Sequence, residues 1–473
     1  SGAAISNRET LTISDLTVSE NFAEVNGGAI NNAGGTLTLT DATISGNSSN
    51  IDAGAINNVS EGTVTISESN ISGNIAGDDG GAIYNANGST LTVTDSIISD
   101  NVAETAFGGG INNAYNATAT VVNSTIAGNF ASANGGGVSN FNGAIVISDS
   151  TISGNSAGTD GGGVETVGDA TIINSTISNN FSARDGGGLF IAETASLINS
   201  TVSENSAGNN GGSIWSDGTV NLTNSILADS SSADEAEVAD AGATFNLFGA
   251  NIVEDGSVDG AIALDPRLSP LQDNGGSVLT HLPLEESPAI DAGDDNELPA
   301  DSFDLDDDDD TAEPIPFDQR GFDRVVDGVD IGAVEVREED LAGPNDPPTI
   351  VSAVESVDFP ESSLTGETEV VAGGQVEATD PDTPAIDLTF ELTEDADGFF
   401  ELVDATTGAI AITPEGAENI EEGQEFNLEL VVSDGEFESD PVNITVNIVE
   451  PLLTASETFT AANDNNIRED QPN

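Results

Sequence analysis

The chain of 473 residues carries 84 acidic and only 7 basic side chains, a formal net charge of −77, and has neither Cys nor Met. This charge excludes nucleic-acid binding, which needs clustered Lys and Arg against phosphate, and it disfavours anionic lipids and polyanionic substrates. The lack of cysteine excludes disulfides, thiolate chemistry and cysteine zinc sites. No apolar run is long enough to predict membrane insertion. The start, Ser1–Ile5, lacks export-signal features, and we interpret the chain as a processed extracellular or cell-surface product.

A repeat of 25 to 28 residues fills the first half of the chain. Its first marker is a triplet of small residues followed by an aliphatic residue, at Ile30, Ile56, Ile83, Ile111, Val138, Val164, Leu189 and Ile214. A second marker with the same spacing is an aliphatic residue three positions before an Asn, as in Ile44–Asn47 and Ile126–Asn129. Short alternating Thr-, Val- and Ile-rich segments at and between these markers predict three strands per repeat, joined by Gly, Asn and Asp turns.

Such a unit cannot form a core alone, so the repeats are expected to stack and bury a column of Ile, Val and Leu. Each strand then pairs in parallel with its equivalent about 4.8 Å away, and crossover chirality makes the coil right-handed. The fold class is therefore all-β: a right-handed parallel β-helix of roughly nine coils over residues 1–264, followed by a β-sandwich. In this register the side chain of Ile126 faces the lumen.

Two polar columns accompany the repeat. Asparagines two residues after the marker are expected to hydrogen bond along the axis: Asn32, Asn58, Asn85, Asn113 and Asn140. A second column, four residues before the marker, consists of Asn26, Asp52, Asp79, Phe107, Asn134, Asp160, Asp185 and Asn210. It is either a structural turn column, since Asn and Asp tolerate left-handed turns, or a row of cation or sugar sites. The triplet glycines are expected to supply positive φ or close backbone approach.

The sequence changes character over residues 265–342. The strings that mark it are Leu264-Asp265-Pro266-Arg267-Leu268, Asp318-Gln319-Arg320-Gly321-Phe322 and Asp330-Ile331-Gly332-Ala333-Val334-Glu335. Together with the repeats, residues 1–336 resemble bacterial parallel β-helix proteins of the choice-of-anchor Q type. The resemblance implies a secreted or cell-surface β-helix and no catalytic residue. We expect this segment to close the C-terminal end of the coil, where an open edge would expose unpaired backbone groups.

Three further features could carry chemistry. Residues 301–310 hold seven aspartates, which form either a solvated loop or a calcium loop that uses Asp304, Asp306 and Asp308. The single histidine, His281, has no matching nucleophile and acid, so we interpret it as a hydrogen-bonded structural residue. Trp215 is interpreted as a packing residue rather than a sugar platform.

The last third begins with a stiff linker, residues 343–348. Alternating segments over residues 349–451 predict short strands of a β-sandwich, and residues 452–473 form a polar tail or an added strand. The strings Pro360-Glu361, Ala378-Thr379-Asp380-Pro381-Asp382, Thr407-Gly408-Ala409-Ile410 and Val432-Ser433-Asp434-Gly435 resemble a bacterial cadherin-like domain. The resemblance implies a calcium site at the linker made by Asn345, Asp346, Asp380, Asp382 and Asp434. Glu361, with Glu422, would belong to a second site.

Three classes of function remain open. We expect a structural subunit of a surface fibre or matrix that is not an enzyme, is stabilised by calcium and assembles head to tail with copies of itself. The alternative is a monomeric adhesin or stalk fragment that binds surface carbohydrate or protein. A polysaccharide lyase or hydrolase is disfavoured, because a lyase needs a basic residue and the coils hold only Arg8 and Arg184. A hydrolase needs two carboxylates about 5–9.5 Å apart in a cleft, and the Gly-rich turns show no long insertions that would wall one.

Overall fold

The computed structural model describes residues 4–234, 236–302, 305, 310–341, 348–352, 356–360, 369–370, 376–379, 388–396, 398–404, 409–433 and 438–449. The chain divides into two compact units, residues 1–341 and 342–473, and each is described by itself. Within the described residues the helices are short: a 3₁₀ turn at Asp295–Glu297 and α-helices at Glu338–Leu341 and Pro414–Asn419. None of these described helices has the length and apolar character to cross a membrane.

The first unit is a parallel β-helix whose strands stack in four columns, which we number in chain order. Column 1 begins at the marker residues, and its ten strands define coils 1 to 10: Ile5–Asn7, Ile30–Ala33, Ile56–Val59, Ile83–Ala86, Ile111–Ala114, Val138–Ser148, Val164–Ile173, Leu189–Ile191, Ile214–Ser216 and Val238–Asp240. The long strands of coils 6 and 7 run on into column 2, whose other strands are Thr10–Ser14, Thr36–Thr40, Thr63–Ser67, Thr90–Thr94, Thr118–Val122, Thr194–Ile198, Thr219–Thr223 and Thr244–Phe248. Columns 1 and 2 form one 18-stranded sheet.

Two further sheets complete the coil. Column 3 contains Thr17–Ser19, Thr43–Ser45, Asn70–Ser72, Ile97–Ser99, Thr125–Ala127, Thr151–Ser153, Thr176–Ser178, Thr201–Ser203, Ile226–Ala228 and Ile252–Val253. Column 4 contains Phe22–Ala23, Ser48–Ser49, Ile75–Ala76, Val102–Ala103, Phe130–Ala131, Ser156–Ala157, Phe181–Ser182 and Ser206–Ala207. The ten strands of column 3 give one coil more than the sequence predicted, and Ile252–Val253 supplies it.

The register confirms the predicted lumen. Ile126 pairs in parallel with Ile98 on one side and Ile152 on the other, and all three side chains are fully buried. The marker residues of coils 2 to 9 are equally buried and belong to the same apolar cluster. Because each inward position is aliphatic in nearly every coil, the core is one continuous stack.

Polar ladders run beside the apolar stack. The predicted asparagine column is confirmed: each amide Nδ2 donates to the Oδ1 of the next, at 2.8 Å for Asn32 to Asn58 and 2.7 Å for Asn58 to Asn85. A second ladder, which the sequence did not predict, joins the asparagines of the second marker, with Asn74 Nδ2 3.0 Å from Asn101 Oδ1. Each of these buried amides is therefore hydrogen bonded in the coil direction.

Glycines in the triplets fulfil both expected roles. Gly135 adopts φ +68°, a left-handed conformation that favours Gly. At Gly136 a Cβ atom would lie 2.4 Å from the carbonyl oxygen of Gly162 in the next coil. The triplet therefore makes the turn from column 4 to column 1 and lets successive turns touch.

The described residues of the segment 265–341 lie along column 3 rather than across the last coil. Thr151 Oγ1 donates to the Leu279 carbonyl at 2.6 Å, and Thr176 Oγ1 donates to Gln319 Oε1 at 2.6 Å. The end of the stack is instead extended by residues 252–262, where Ile262 bridges Ile252 in parallel and Val258 joins the core. The physical reason is that the outward Ser and Thr hydroxyls of column 3 offer donors for a long covering segment. We call residues 265–341 the flank segment.

The described residues of the second unit form three small sheets. They are Thr349–Ser352 with Glu377–Thr379, then Ser356–Pro360, Val442–Val449, Glu425–Ser433 and Thr389–Glu394, and then Glu369–Val370, Ala409–Ile412 and Phe400–Asp404. Leu428, Leu430, Ile410 and Ile444 belong to one buried apolar cluster. The described residues of the second unit therefore form small sheets around a shared core, while its β-sandwich architecture and cadherin-like character stay predictions.

Candidate functional site

The predicted calcium ligands fall outside the described part of the chain. These residues are Asn345, Asp346, Asp380, Asp382 and Asp434 at the linker, and Asp304, Asp306 and Asp308 in the Asp-rich loop. Glu361 lies outside it as well, whereas Glu422 lies in the exposed turn before the strand Glu425–Ser433. Both predicted calcium sites therefore stay predictions.

A carboxylate cluster occupies the described turns between column 4 and column 1. Asp52 lies in the turn that enters coil 3, and Asp78 and Asp79 lie in the turn that enters coil 4. One carboxylate oxygen from each of the three lies within 4.8 Å of the others. The parallel register brings them together, because a residue four positions before one marker stacks on its equivalent one coil later.

Hydrogen bonds from the neighbouring turns hold the three side chains. Asn26 Nδ2 donates to Asp52 Oδ2 at 3.1 Å, and the Phe107 backbone N–H donates to Asp79 Oδ1 at 3.1 Å. Thr105 Oγ1 donates to Asp78 Oδ1 at 2.9 Å. The carboxylates thus have fixed positions at the turn surface.

Burial and mutual repulsion disfavour the charged forms of these carboxylates. Burial raises the pKa of Asp79 to about 6, and the charges of Asp78 and Asp52 add to the effect. Burial, followed by the charge of Asp78, also raises the pKa of Asp52. Burial, followed by the charges of Asp52 and Asp79, raises the pKa of the nearby Tyr84. Among the described residues no ion pair reaches the cluster, because the ion pairs there involve Arg184, Arg267, Arg320 and Arg337.

A second concave feature lies between the flank segment and the coils. It is a cavity of about 420 Å³ whose polar lining includes Asp95, Asp149, Asp318 and Arg320. Burial raises the pKa of Asp149 to about 6. The guanidinium of Arg320 is already engaged, with Nε 2.9 Å from Asp318 Oδ2 and Nη2 accepted by the Glu335 carbonyl at 2.5 Å.

Buried charged residues hold the flank segment together. Arg324 is fully buried, and its Nη2 donates to the backbone carbonyls of Asp330 at 3.0 Å and Gly332 at 2.7 Å. The Glu335 carboxylate accepts the backbone N–H groups of Val326 and Asp330. These side chains satisfy backbone groups of an irregular segment, which is a structural task.

Two single residues have the structural surroundings that the sequence predicted. His281 is buried, with Nδ1 2.7 Å from the Ser269 carbonyl oxygen and Nε2 2.8 Å from Ser178 Oγ. It joins the flank segment to column 3. Trp215 stacks on Phe190 of the preceding coil, with ring centroids 4.4 Å apart and planes 8° apart. It is half-buried, as a packing residue would be.

The cluster at Asp52, Asp78 and Asp79 was only partly visible in the sequence. The column of residues four positions before the marker included Asp52 and Asp79 but omitted Asp78. The available signal was the acidic doublet in one turn that follows an Asp in the preceding turn. Only the coil register shows that Asp78 and Asp79 stack on the turn of Asp52 and bring three carboxylates together.

The fold defines a parallel β-helix repeat protein. Within it, residues 68–86 match the Chlamydia polymorphic membrane protein repeat. The matched stretch contains strands Asn70–Ser72, Ile75–Ala76 and Ile83–Ala86 and the turn that carries Asp78 and Asp79. It covers most of a single coil, so the similarity concerns the repeat unit. A comparison of the chain with curated proteins finds no match.

Proposed function

We propose that this protein is a surface-exposed scaffold, structural or adhesive in role and not an enzyme. The observation that carries the proposal is the in-register column 3, which runs through ten coils. Its apolar stack and asparagine ladders give every coil the same neighbours. A stack of this kind resists bending and presents its outer faces along a length of about 45 Å.

The matched repeat supports a location at the cell surface. The family in which this repeat occurs is named for membrane proteins, and the matched coil is built like its neighbours in the stack. The high negative charge favours solubility outside the cell and opposes nonspecific association with anionic surfaces. We therefore place the protein outside the cell or at its surface.

The finer hypothesis is a calcium-stabilised subunit that assembles head to tail, with a cadherin-like second unit. It is supported by the strings that resemble a cadherin-like domain and by the small sheets and buried core in the described part of the second unit. The alternative is an adhesin that binds surface carbohydrate or protein along the exposed faces of the coils. The two hypotheses differ in one measurable property: the assembling subunit should form larger oligomers as the protein concentration rises, and the monomeric adhesin should not.

Surface exposure is tested on intact cells that produce the protein. Antibodies raised against residues 4–341 should label unlysed cells, and an external protease should remove the label while a cytoplasmic marker stays intact. Labelling that requires lysis would contradict the proposal. Size measurement of the purified protein over a range of concentrations then separates the assembling subunit from the monomeric adhesin.

The non-enzymatic role is tested separately. We expect no release of unsaturated or reducing ends when the purified chain is incubated with uronate-containing and neutral polysaccharides, with and without calcium. Turnover that disappears on mutation of an exposed carboxylate pair of the coils would establish the lyase or hydrolase alternative.

A further inference from the structure

The turn from column 1 to column 2 becomes shorter along the middle of the β-helix. Paired residues of neighbouring coils mark the two ends of this turn, and the residues between them number three in coil 5 (Ala114 to Thr118), two in coil 6 (Phe141 to Ala144) and one in coil 7 (Val167 to Asp169). Coil 8 keeps the short form, since two residues lie between Ile191 and Thr194, as between their partners Thr166 and Asp169. Because fewer residues make a shorter excursion of the chain, the outer surface steps inward from coil 5 to coil 7.

A concave site lies at this step. It is a cavity of about 350 Å³ lined by the turns of four successive coils, and its lining includes Asn116, Asn142, Gly143, Gly168, Asp169 and Glu193. Gly143 and Gly168 bring the backbones of their coils together, since a Cβ atom on Gly168 would lie 2.4 Å from the Gly143 carbonyl oxygen. The volume is within the range of about 300–1,000 Å³ that is typical of small-molecule sites. We call this cavity the step site.

Four polar side chains of the step site are free to bind a ligand. Asn116, Asn142, Asp169 and Glu193 are exposed, and among the described residues none of their side chains takes part in a hydrogen bond or an ion pair. The amides of the asparagine ladders differ, because each of them binds the next coil. Carboxylates only accept hydrogen bonds, whereas amides both donate and accept them. The four groups together therefore suit a ligand that is rich in hydroxyl groups.

Two exposed aromatic residues stand next to these polar groups in the chain. Tyr115 precedes Asn116 and Phe141 precedes Asn142; the two aromatic residues are 48% and 40% exposed, and their rings pack edge to face with centroids 5.8 Å apart. Tyr115 has φ +56°, which is uncommon for a bulky residue. Asn87 occupies the equivalent position of coil 4 at φ +58°, so the turn itself does not require an aromatic residue. An exposed ring held in a strained conformation favours a role in ligand contact.

We propose that the step site binds a neutral saccharide, with Tyr115 and Phe141 packing against the C–H face of a sugar ring and Asp169 accepting hydrogen bonds from its hydroxyls. A sugar ring has an apolar face and a rim of hydroxyl groups, which match the aromatic rings and the free polar side chains. Among the described residues that line the site there is no arginine, and the net charge is −77, so an anionic saccharide would be repelled. This ligand class belongs to the adhesive form of the proposed function, on which the inference rests.

The test uses the purified full chain and soluble polysaccharides as probes. Native gels that contain β-glucan, galactomannan, dextran or xyloglucan should retard the chain in at least one case, whereas gels that contain polygalacturonate should not. Isothermal titration with oligosaccharides of the retarding polymer then gives the dissociation constant. Because the ligand is uncharged, this constant should change less than about twofold between about 0.05 M and about 0.5 M salt.

Three variants copy residues that the same fold already holds at equivalent positions. Tyr115→Asn copies Asn87, Phe141→Ala copies Ala114, and Asp169→Thr copies Thr194. Each variant should therefore fold. We expect the two aromatic variants to raise the dissociation constant at least about threefold each, and Asp169→Thr to raise it about tenfold.

Phe22→Ser is the matched control for the loss of an exposed ring. Phe22 is 55% exposed on column 4, and its paired residue in the next coil is Ser48. This replacement should leave the dissociation constant unchanged. Weakening as large as that of Tyr115→Asn would contradict the inference, because the effect would then not be specific to the step site.

Three further results would overturn the saccharide site. They are the lack of retardation by every neutral polysaccharide, unchanged binding by all three variants of the step site, and a steep loss of affinity with salt, which would indicate a basic peptide as the ligand. None of these results alters the labelling of intact cells, so the surface scaffold would stand without the saccharide site. Labelling that requires lysis would instead overturn the proposed function, while binding by the purified chain would remain measurable.

Discussion

At the scale of single residues, the coil separates inward apolar side chains from the buried polar side chains of its ladders. Asn101 shows the polar case: its Nδ2 donates to Asn129 Oδ1 at 2.9 Å, and its backbone N–H donates to the same oxygen. Ile126 shows the apolar case, surrounded by the aliphatic residues of the neighbouring coils. In the ladder positions the next coil supplies the partner of each buried amide.

Replacement of Ile126 by Asp tests the lumen. The carboxylate would be buried without a partner, so we expect Ile126→Asp to lower the free energy of unfolding by about 4 kcal/mol or more. Ile126→Val keeps the apolar surface and should cost only about 1 kcal/mol. Thermal and urea unfolding followed by circular dichroism would measure both. Equal stability of the two variants would contradict the register.

Glu165 gives a pH-dependent contribution to stability. Burial raises the pKa of its carboxyl to about 7, with the charge of Asp160 adding and hydrogen bonds from Ser139 and Asn134 opposing. A folded pKa above the unfolded value means that the folded state binds more protons. The stability that protonated Glu165 contributes to the folded state is therefore fully present below about pH 4.5 and is lost as the pH rises through about 7.

Glu165→Gln removes this titration. In the unmodified chain this titration lowers the free energy of unfolding by at most about 3 kcal/mol between pH 4.5 and pH 7. We expect the variant to lack this decrease. Glu61→Gln, at an exposed position of coil 3, controls for the loss of one carboxylate. Unfolding in urea at a series of pH values measures the slopes. A Glu165→Gln slope identical to that of the unmodified chain would count against the raised pKa.

At the scale of structural elements, the turn from column 4 to column 1 limits what each coil can contain. The middle glycine of the triplet touches the next turn, whereas the third position is an alanine in Ala29, Ala55 and Ala82, all fully buried. The first position takes positive φ even where it is Ala53, at +60°. Close packing of successive turns thus dictates side-chain size position by position.

A pair of glycine substitutions tests this limit. In Gly136→Ala the new Cβ would lie 2.4 Å from the Gly162 carbonyl oxygen and 2.5 Å from the Ser156 carbonyl carbon, both backbone atoms. We expect a loss of about 1–3 kcal/mol in unfolding free energy, because the coils must separate locally. Gly137→Ala is the matched control: its Cβ would lie 2.7 Å from the Gly163 carbonyl oxygen, but other coils hold Ala at this position, at Ala29, Ala55 and Ala82, so the loss should be smaller. Thermal unfolding decides, and similar losses in both would contradict the argument.

The flank segment changes the character of one column along its length. The first residue of the column 3 strand is exposed in coils 2 to 4, at Thr43, Asn70 and Ile97, but buried in coils 6 to 8, at Thr151, Thr176 and Thr201. The buried hydroxyls bond to the flank segment, as in the 3.1 Å bond from the Ala333 N–H to Thr201 Oγ1. Only the uncovered coils therefore keep this face of column 3 available for other contacts.

At the scale of the whole molecule, the net charge of −77 opposes close association of copies. Cations should therefore govern any assembly, because they neutralise carboxylates and screen the repulsion between chains. The predicted head-to-tail contact uses the alternating segment Leu452–Thr460 as an added strand. This segment lies outside the described residues, so the contact stays a prediction.

Deletion of residues 452–473 tests the assembly hypothesis. In millimolar calcium we expect the full chain to form filaments visible by electron microscopy, and the deletion variant to remain monomeric, since a head-to-tail contact that does not close gives fibres. Monodisperse monomers of both the full chain and the deletion variant would leave the adhesin or stalk as the function.

The sequence by itself determined the coil. Spacing of 25 to 28 residues between markers fixes which residues stack, so the lumen position of Ile126 and the ladder through Asn58 follow from local pattern alone. Tertiary structure decided what lies far apart in the chain. The bond between Thr176 and Gln319 joins residues 143 positions apart, and no periodicity predicts where an irregular segment will lie. The cluster at Asp78 also emerged only in three dimensions, because its proximity to Asp52 depends on how two turns stack rather than on either turn alone.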